Sequence, residues 1–294
     1  NAAAIDNNKC TSCGACVYQC PFGAIMDKSY ILNVIDLIKK SEDNQKYKVY
    51  AVVAPSISSQ FTYAKLGQVV TGLKELGFYS VIEAALGADM VALAEAKELS
   101  EKGLLTSSCC PAFVTMVQKH FPQLKDNVST TVSPMSAMAR FVREKHPGAI
   151  TVFIGPCIAK KSEVIESITD DNADYALTSE ELDAMFRAKG VELKITDAVV
   201  QQGSIYAKKF SQSGGVTAAV VQAFKEMNVS PDAKVAQCNG AAECKKALLM
   251  MKVGKLPEDF IEGMVCEGGC VNGPGSIKPE MQSHKDRLAL FSKA

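Results

Sequence analysis

The sequence lacks the residue patterns that indicate nucleic-acid or membrane binding. Its 294 residues include no tryptophan and only three histidines, and 32 basic residues balance 32 acidic ones. Without a basic excess, we expect no nucleic-acid partner. No apolar run reaches the roughly 18 residues of a transmembrane helix, and no signal-peptide pattern is present. We therefore expect a cytoplasmic protein with no membrane span. Because the chain starts at Asn1 rather than Met, we also expect a processed or trimmed piece of a longer protein.

Cysteine is the residue type that is present in unusual number, with eleven in the chain. In a secreted protein of fewer than about 100 residues they would indicate disulfides, but this chain is long and has no export signal. The histidines (His120, His146 and His284) do not accompany the cysteine clusters, which argues against mixed Cys/His zinc sites. Thiolate-rich, histidine-poor clusters in a reducing compartment favour iron–sulfur centres.

The first cysteine cluster is the segment CTSCGACVYQCP, which contains Cys10, Cys13, Cys16 and Cys20 and ends at Pro21. This C-x2-C-x2-C-x3-C-P spacing is typical of bacterial ferredoxins. In two-cluster ferredoxins the fourth cysteine serves the other cluster, but no second run exists here. We therefore expect all four thiols to hold one 4Fe–4S cluster that relays electrons. A structural zinc ion held by the same four thiols is the alternative.

Strand-like and helix-like segments alternate along the rest of the chain. Apolar stretches at 48–57 and 149–157 indicate buried strands, whereas 60–77 and 88–103 have helical periodicity and stop at a glycine. The alternation predicts an α/β fold. The predicted parts are a ferredoxin-like segment (1–29), a helical linker (30–46) and a main domain (47–294) that ends in a helix over 279–293.

Five cysteines of the main domain occur in three short motifs. The motifs are SCCPAF with Cys109 and Cys110, PCIAKKSE with Cys157, and CEGGCVNGPGS with Cys266 and Cys270. In this order they resemble the motifs of iron-only (FeFe) hydrogenases, and VAPSI, GADM, VSPM and SGGVT fit that family too. The resemblance covers about residues 48–280. It implies a two-lobed α/β hydrogenase domain with mixed sheets flanked by helices, preceded by the small ferredoxin-like segment.

The resemblance implies a separate role for each of these cysteines. Cys110, Cys157, Cys266 and Cys270 would ligate a 4Fe–4S cubane, and Cys270 would bridge to a diiron unit carrying CO, cyanide and an azadithiolate. Together these groups form the H-cluster. Cys109 is left free, and its thiol would face the open iron and deliver protons to the azadithiolate nitrogen. A thiol with an ordinary pKa of about 8.5 suits such a relay near neutral pH.

A proton path to Cys109 is also implied by the resemblance. It runs from Glu98 through Ser129, Glu95 and a water to Cys109. Because Glu95 and Glu98 are three residues apart in a helical segment, they share one helix face. Read alone, two such glutamates indicate a solvated face. The matched spacing around GADM favours the functional reading.

Other residues are assigned to the cofactor by the same resemblance. Lys160 would donate a hydrogen bond to one cyanide, because a buried lysine needs an anionic partner. Glu163 would support the loop, and the role of Lys161 stays open. The remaining contacts are assigned to Ala54, Pro55 and Ser56 at the other cyanide and to Met264 against the diiron unit.

The sequence departs from the family pattern at several positions. Gly155 stands where Met is common before Pro–Cys, and we expect this change to open space near the diiron unit. Phe113 replaces the usual Trp. Such changes would alter the surroundings that tune a metal centre, and they suggest a divergent, sensory or regulatory subgroup. Cys238 and Cys244 match no motif and could be buried structural thiols, a redox-active pair or an extra metal site.

The implied function is the reversible reaction 2H⁺ + 2e⁻ ⇌ H₂ at the H-cluster. Its partners would be protons and H₂, a ferredoxin-like donor or an attached redox domain, and the hydrogenase maturation proteins. A signalling protein that senses H₂ or redox state with slow turnover is the alternative. A third possibility is a non-catalytic iron–sulfur assembly factor, a class that keeps the cubane cysteines but lacks the relay cysteine.

Overall fold

A computed structural model describes residues 4–166, 171–194, 203–228 and 233–277, so the helix predicted over 279–293 lies outside the described residues. The strands are β1 (Val49–Val53), β2 (Ser80–Glu83), β3 (Leu105–Thr106), β4 (Ile150–Gly155), β5 (Tyr175–Thr178), β6 (Val235–Asn239) and β7 (Phe260–Met264). The helices are α1 (Ala15–Gln19), α2 (Ile31–Lys40), α3 (Ile57–Gln60), α4 (Leu66–Leu76), α5 (Ala84–Lys102), α6 (Pro111–His120), α7 (Pro134–Lys145), α8 (Ala159–Glu166), α9 (Ser179–Lys189), α10 (Ile205–Lys209), α11 (Gly215–Glu226) and α12 (Ala241–Lys252). Two short 3-10 helices occupy Pro122–Asn127 and Cys270–Asn272.

The strands form two sheets. Four strands pair in the order β2-β1-β4-β5, and three pair in the order β3-β7-β6. The predicted α/β fold of sheets flanked by helices is confirmed, with one difference: the described strands pair only in parallel rather than in mixed sheets. A helical crossover separates the consecutive strands of each pair β1/β2, β4/β5 and β6/β7, which brings the chain back to the same end of the sheet.

The first lobe forms around the four-stranded sheet. Every residue of β1 is buried, as expected for a central parallel strand covered on both faces. Helices α4 and α9 contribute to the core on one face, and α7 packs on the other. Tyr30 and Val34, from the start of α2, are buried in this core. A fully buried valine contributes about 1.5–3 kcal/mol relative to an exposed one, so α2 is held by packing.

The second lobe forms around the three-stranded sheet, and α5 joins it to the first. Helices α5 and α11 cover one face, whereas α6 and α12 contribute to the core on the other. The buried face of α5 consists mostly of alanine and glycine, which allows close helix contacts. A Cβ on Gly87 would lie only 2.4 Å from the carbonyl oxygen of Pro134 in α7. Helix α5 therefore packs against α7 of the first lobe and α11 of the second.

The described helices include none that is long and apolar enough to cross a membrane.

Candidate active site

A cavity lies where strands from the two sheets end. Strands β1 and β4 of the first lobe and β3 and β7 of the second all lead at their carboxyl ends into segments that line it. In open α/β sheets this is the edge where ligands bind. The cavity holds about 840 Å³ of space including its mouth. Each strand is followed there by a proline, cysteine or short loop, so the backbone turns away and leaves room.

Besides Cys13 of the amino-terminal segment, five cysteines of the main domain line this cavity together. They are Cys109 and Cys110 after β3, Cys157 after β4, and Cys266 and Cys270 after β7. The cavity thus brings together residues more than 100 positions apart in the sequence. Among the described residues, no group of three or more His, Cys, Asp or Glu side chains is arranged to hold a single metal ion.

The thiols in the cavity influence one another electrostatically. Burial raises the pKa of Cys157 to about 11, and the neighbouring Cys110 adds to the rise. Burial likewise raises the pKa values of Cys266 and Cys270, with further contributions from Cys157 and Cys110. Several thiolates in a dry cavity repel one another, so this set of donors requires cationic metal to ionise together.

The loop between the last two cysteines depends on glycine. Gly268 and Gly269 have φ angles of +79° and +92°, which side chains rarely allow. A Cβ on Gly269 would lie 2.5 Å from the carbonyl oxygen of Ser211. That carbonyl accepts a hydrogen bond from the Val271 N–H at 3.1 Å. Gly269 therefore packs closely against the segment before α11, and this packing fixes the loop that carries Cys270.

Lys160 lies in the cavity wall and stays charged. Its ammonium donates to Glu163 Oε2 at 2.6 Å and to the Cys109 carbonyl at 3.3 Å. Burial by itself would lower the pKa of Lys160, but the Glu163 carboxylate outweighs it and the pKa is raised. Glu163 is held in turn by the hydroxyls of Ser133 and Ser136, at 2.5 and 3.2 Å. The predicted support by Glu163 thus takes the form of an ion pair.

Within the predicted proton path, Ser129 and Glu98 form a hydrogen-bonded pair, whereas Glu95 is bonded to Ser108, which the prediction does not include. The Ser129 hydroxyl donates to Glu98 Oε2 at 2.6 Å. Glu95 Oε1 accepts from the Ser108 N–H at 2.9 Å and from its hydroxyl at 3.2 Å. The other oxygen of Glu95 is buried and has no hydrogen-bond partner among the described residues. Ser108 is the residue that directly precedes Cys109, so Glu95 is tied to the motif that carries the predicted relay.

The two glutamates of this path differ in acidity. Complete burial raises the pKa of Glu95 to about 7, although the bonds from Ser108 partly oppose the rise. Partial burial also acts to raise the pKa of Glu98, but hydrogen bonds from Lys102, Ser129 and Thr130 outweigh it, and the pKa is lowered. Glu98 is therefore the anion of the pair, and Glu95 carries a proton for part of the time near neutral pH.

The Cys109 thiol is less acidic than predicted. Burial, followed by the nearby charge of Glu95, raises its pKa well above the ordinary value. The expectation of an unshifted thiol is wrong because it neglects desolvation, which disfavours the thiolate. Cys109 is consequently a protonated thiol at neutral pH.

The predicted cofactor contacts lie at the cavity with one exception. Ala54, Pro55 and Met264 line it. Ser56 is not among the lining residues; it is buried, and its hydroxyl has no hydrogen-bond partner in the described part of the chain. Ser211 does line the cavity and is also a buried hydroxyl without a described partner. Sequence reasoning missed Ser211, which lies two residues before the SGGVT segment.

The expectation of open space at Gly155 is wrong. A Cβ there would lie 2.7 Å from the Cβ of Ala54 and 3.0 Å from the ring of Phe153. Phe153 precedes Gly155 by two residues on β4 and therefore faces the same side of the sheet. Its ring fills the space and lines the cavity.

The amino-terminal cysteine segment packs beside the cavity. Cys16 lies in the short helix α1, and Cys10, Cys13 and Cys20 flank it. Cys13 also lines the cavity wall. Backbone N–H groups of Phe22, Ile25 and Ala24 lower the pKa of Cys20, which favours a thiolate ligand.

Helix α6 anchors the start of this segment. The Lys119 ammonium donates to the carbonyl groups of Asn7 and Cys10 at 2.9 and 2.8 Å. A ring nitrogen of His120 lies 2.9 Å from the Lys9 carbonyl. The cysteine loop is thus held against the second lobe, to which α6 belongs.

Cys238 and Cys244 lie outside the cavity. Both are buried in the core between α6, α12 and β7, and the Cys244 thiol donates to the Met264 carbonyl at 3.5 Å.

Comparison with known proteins decides the family. The family model for the iron-only hydrogenase large subunit, C-terminal domain, matches residues 47–274, and a 4Fe-4S binding domain matches residues 3–26. The chain belongs to the iron-only hydrogenase large-subunit family. Apart from Cys13, the residues that line the cavity lie within the matched C-terminal domain.

Relatives of this iron-only hydrogenase family member include hydrogenases and assembly factors. It is 30% identical to the periplasmic Fe hydrogenase large subunit of Nitratidesulfovibrio vulgaris, over 96% of this chain and 88% of the relative. Iron hydrogenase 1 of Clostridium pasteurianum is 26% identical over 87% of this chain, which spans only 54% of that longer protein. The cytosolic Fe-S cluster assembly factor narfl of Xenopus tropicalis is 24% identical, over 97% of this chain and 74% of the relative.

The fold is shared with solved FeFe hydrogenases. The structure of an FeFe hydrogenase variant from Chlamydomonas reinhardtii superposes with a TM-score of 0.73 at 22% identity, covering 90% of this chain and 88% of that one.

The side chains around the cavity of this family member fit an iron–sulfur cofactor. Four main-domain thiols besides Cys109 provide the soft ligands that iron–sulfur clusters need. The rest of the wall is mostly alanine, proline, methionine and phenylalanine, which exclude water. Lys160 adds a charged donor, and Ser211 adds a hydroxyl without a described partner. Thiols, one cation and a dry wall suit an anionic cluster with polar ligands better than a small organic substrate.

Proposed function

We propose that this chain is a hydrogenase that interconverts protons, electrons and H₂ at an H-cluster in this cavity. The observation that carries the proposal is that Cys109 lies in the cavity beside Lys160 and the four other cysteines of the main domain. Four thiols account for one cubane, so the fifth is free for proton transfer. A role in iron–sulfur storage or assembly alone gives no reason for this additional thiol.

Each protein ligand has a distinct place in the proposal. Cys110, Cys157, Cys266 and Cys270 would hold the cubane, and Cys270 would link it to the diiron unit. When bound, the H-cluster supplies the metal site at which H₂ is formed or split. Lys160 would donate a hydrogen bond to an anionic cyanide while Glu163 fixes its direction. The remaining contacts would come from Ala54, Pro55, Ser56 and Met264.

Proton transfer would use groups that differ in pKa, as the following steps require. Glu98 is partly exposed and anionic, so it can take a proton from solvent and pass it through the Ser129 hydroxyl. Glu95, with a pKa of about 7, can both hold and release a proton near neutral pH. Its unpartnered oxygen is free to bind a water that leads to Cys109. The protonated Cys109 thiol would then be the last donor.

Electrons would enter through the amino-terminal segment. Cys10, Cys13, Cys16 and Cys20 would hold a 4Fe–4S cluster, and the position of Cys13 in the cavity wall supports a short route to the cubane. A ferredoxin-like donor or an attached redox domain would supply the electrons, and hydrogenase maturation proteins would insert the diiron unit. The reducing conditions that free thiols require favour a cytoplasmic location.

The second candidate is a sensor with the same cofactor and slow turnover. The observation in its favour is the altered wall at Gly155, where Ala54 and the Phe153 ring occupy the space.

The deciding experiment is loading of the protein with a synthetic diiron cofactor under anaerobic conditions. Infrared spectra and H₂ evolution from a reduced viologen dye are then measured. We expect CO and cyanide bands together with H₂ production. Bands with very slow turnover would favour the sensor, whereas absence of bands in protein that holds both cubanes would refute the proposal and favour an assembly factor.

A further inference from the structure

Lys161 is buried and away from the cavity, although it directly follows Lys160. It is 4% exposed, and its ammonium has three N–H groups to satisfy. The ammonium donates to Asp27 Oδ2 at 2.6 Å and to the Lys28 carbonyl at 2.9 Å, and it forms an ion pair with Glu181 Oε2 at 2.8 Å. Three oxygen atoms therefore surround the ammonium, and two of them belong to carboxylates.

The three acceptors come from two different parts of the molecule. Asp27 and Lys28 follow the cysteine motif that ends at Cys20. Glu181 lies in the first turn of α9, in the first lobe. Lys161 itself lies in α8, four residues after Cys157. One side chain thus connects the segment of the amino-terminal cysteines to the helix that follows a cavity cysteine.

Glu181 extends this connection. Its Oε2 also accepts from the Thr178 N–H at 2.7 Å, which completes the capping box of α9. Its Oε1 accepts from the Tyr30 N–H at 3.1 Å, at the start of α2. The Tyr30 ring packs against Tyr175 of β5, with ring centroids 5.7 Å apart. Glu181 is therefore rigid for reasons that do not involve Lys161, and it offers Lys161 a fixed anchor.

We infer that the junction of Lys161, Asp27 and Glu181 positions the amino-terminal cluster relative to the cubane of the cavity. The inference rests on the proposed electron relay, because it gives the junction its purpose. Lys119 holds the start of the same segment through carbonyl groups alone. Lys161 holds its end through charges. With both ends fixed, the two cysteine sets keep a constant separation, on which electron transfer depends. Lys161 is a positioning residue in this role.

Two variants separate the junction from general stability. Lys161→Met removes the ammonium, and Asp27→Asn weakens only the contact on the cysteine segment while Lys161 keeps Glu181 as its partner. Lys40→Met is the matched control: it removes an exposed ion pair, Lys40–Asp36 at 2.7 Å, from α2. Such surface pairs contribute little to stability.

The first measurement is hydrogen exchange of the amides over residues 20–34 in protein holding both cubanes. We expect exchange to be about a hundredfold faster in Lys161→Met and about tenfold faster in Asp27→Asn, because a broken or weakened buried ion pair makes local opening easier. Lys40→Met should match the wild type.

The second measurement is the magnetic interaction between the two reduced cubanes, detected by electron paramagnetic resonance. This interaction falls steeply with distance, so we expect a splitting in the wild type that a displaced amino-terminal cluster should lose. If Lys161 acted only through local packing, the splitting would be the same in the variants as in the wild type. Neither measurement needs the diiron unit or H₂ turnover, so a failed hydrogenase assay does not affect the result.

If Lys161→Met fails to fold or to retain iron, Asp27→Asn alone tests the inference. Faster exchange with weaker splitting in Asp27→Asn supports the inference. Exchange and splitting equal to those of Lys40→Met, with both cubanes present, overturn it.

Discussion

Glu95 is the residue whose behaviour tests the proposed proton path most directly. It is fully buried in α5, and the carboxyl oxygen Oε2 has no partner among the described residues. Burial raises its pKa from the ordinary 4.5 to about 7. We therefore expect Glu95→Gln to remove a titration near pH 7. The change is conservative, because the amide oxygen can still accept both hydrogen bonds from Ser108.

The size of the effect follows from the pKa difference. At about 1.4 kcal/mol per tenfold, the difference between 4.5 and about 7 corresponds to about 3 kcal/mol. Between these pH values the native carboxyl binds more protons than the unfolded one, so stability falls as the pH rises through this window. The cost is absent below about pH 4.5 and complete above about pH 7. Glu95→Gln should therefore be more stable than the wild type at pH 8 by up to about 3 kcal/mol, and equal to it at pH 4.5.

Two assays check this expectation. In infrared difference titration, the carboxylic acid band of Glu95 should disappear with a midpoint near 7 and be absent from Glu95→Gln. Urea unfolding at pH 4 and pH 8 should show the variant gaining stability only at the higher pH. Glu98→Gln is the matched control, because the pKa of Glu98 is lowered and its band should titrate below 4.5. A Glu95 midpoint near that of Glu98 would refute the argument from burial.

Three other changes have specific expected results. Cys109→Ala should lower H₂ evolution by about a hundredfold or more while the infrared bands of the cofactor persist, because only the last proton donor is lost; unchanged turnover would exclude its relay role. Cys270→Ala should abolish the CO and cyanide bands after loading, and bands that survive would exclude this ligand. Gly269→Ala should destabilise the protein by about 2 kcal/mol or more in urea unfolding, because the φ of +92° and the carbonyl of Ser211 both oppose a Cβ. Gly254→Ala, with a positive φ but open space, should cost less, and equal losses would contradict the argument from close approach.

The helices and strands that the sequence predicts are those with a strong local signal. Helices α4 and α5 end at Gly77 and Gly103, both in the left-handed region that glycine allows. The predicted strand segments at 48–57 and 149–157 are mostly apolar and contain β1 and β4. Strand pairing could not be predicted in the same way, because it joins distant segments whose order depends on helical crossovers. The parallel arrangement is thus found only in the structure.

The same distinction between local and long-range information applies to the candidate site. The cysteine motifs give the convergence of five thiols, since their order is specific. Ser108 is the first residue of SCCPAF, but the motifs assign no role to it or to Ser211, because their importance comes from what lies beside them after folding. The error at Gly155 has the same cause: a missing side chain leaves a gap only if no neighbour fills it, and Phe153 does.

The location of the ligands at two sheets has a consequence for assembly. Cys157 follows a strand of the first lobe, whereas Cys110, Cys266 and Cys270 follow strands of the second. If these four hold one cubane, iron binds fully only when the lobes are docked, and binding then stabilises the docked state by mass action. Helix α5 packs on both lobes through small side chains, which allow close contact but little specific interlocking. The cubane would therefore hold the two lobes at a fixed distance. The proton path from α5 to Cys109 would depend on that distance being correct.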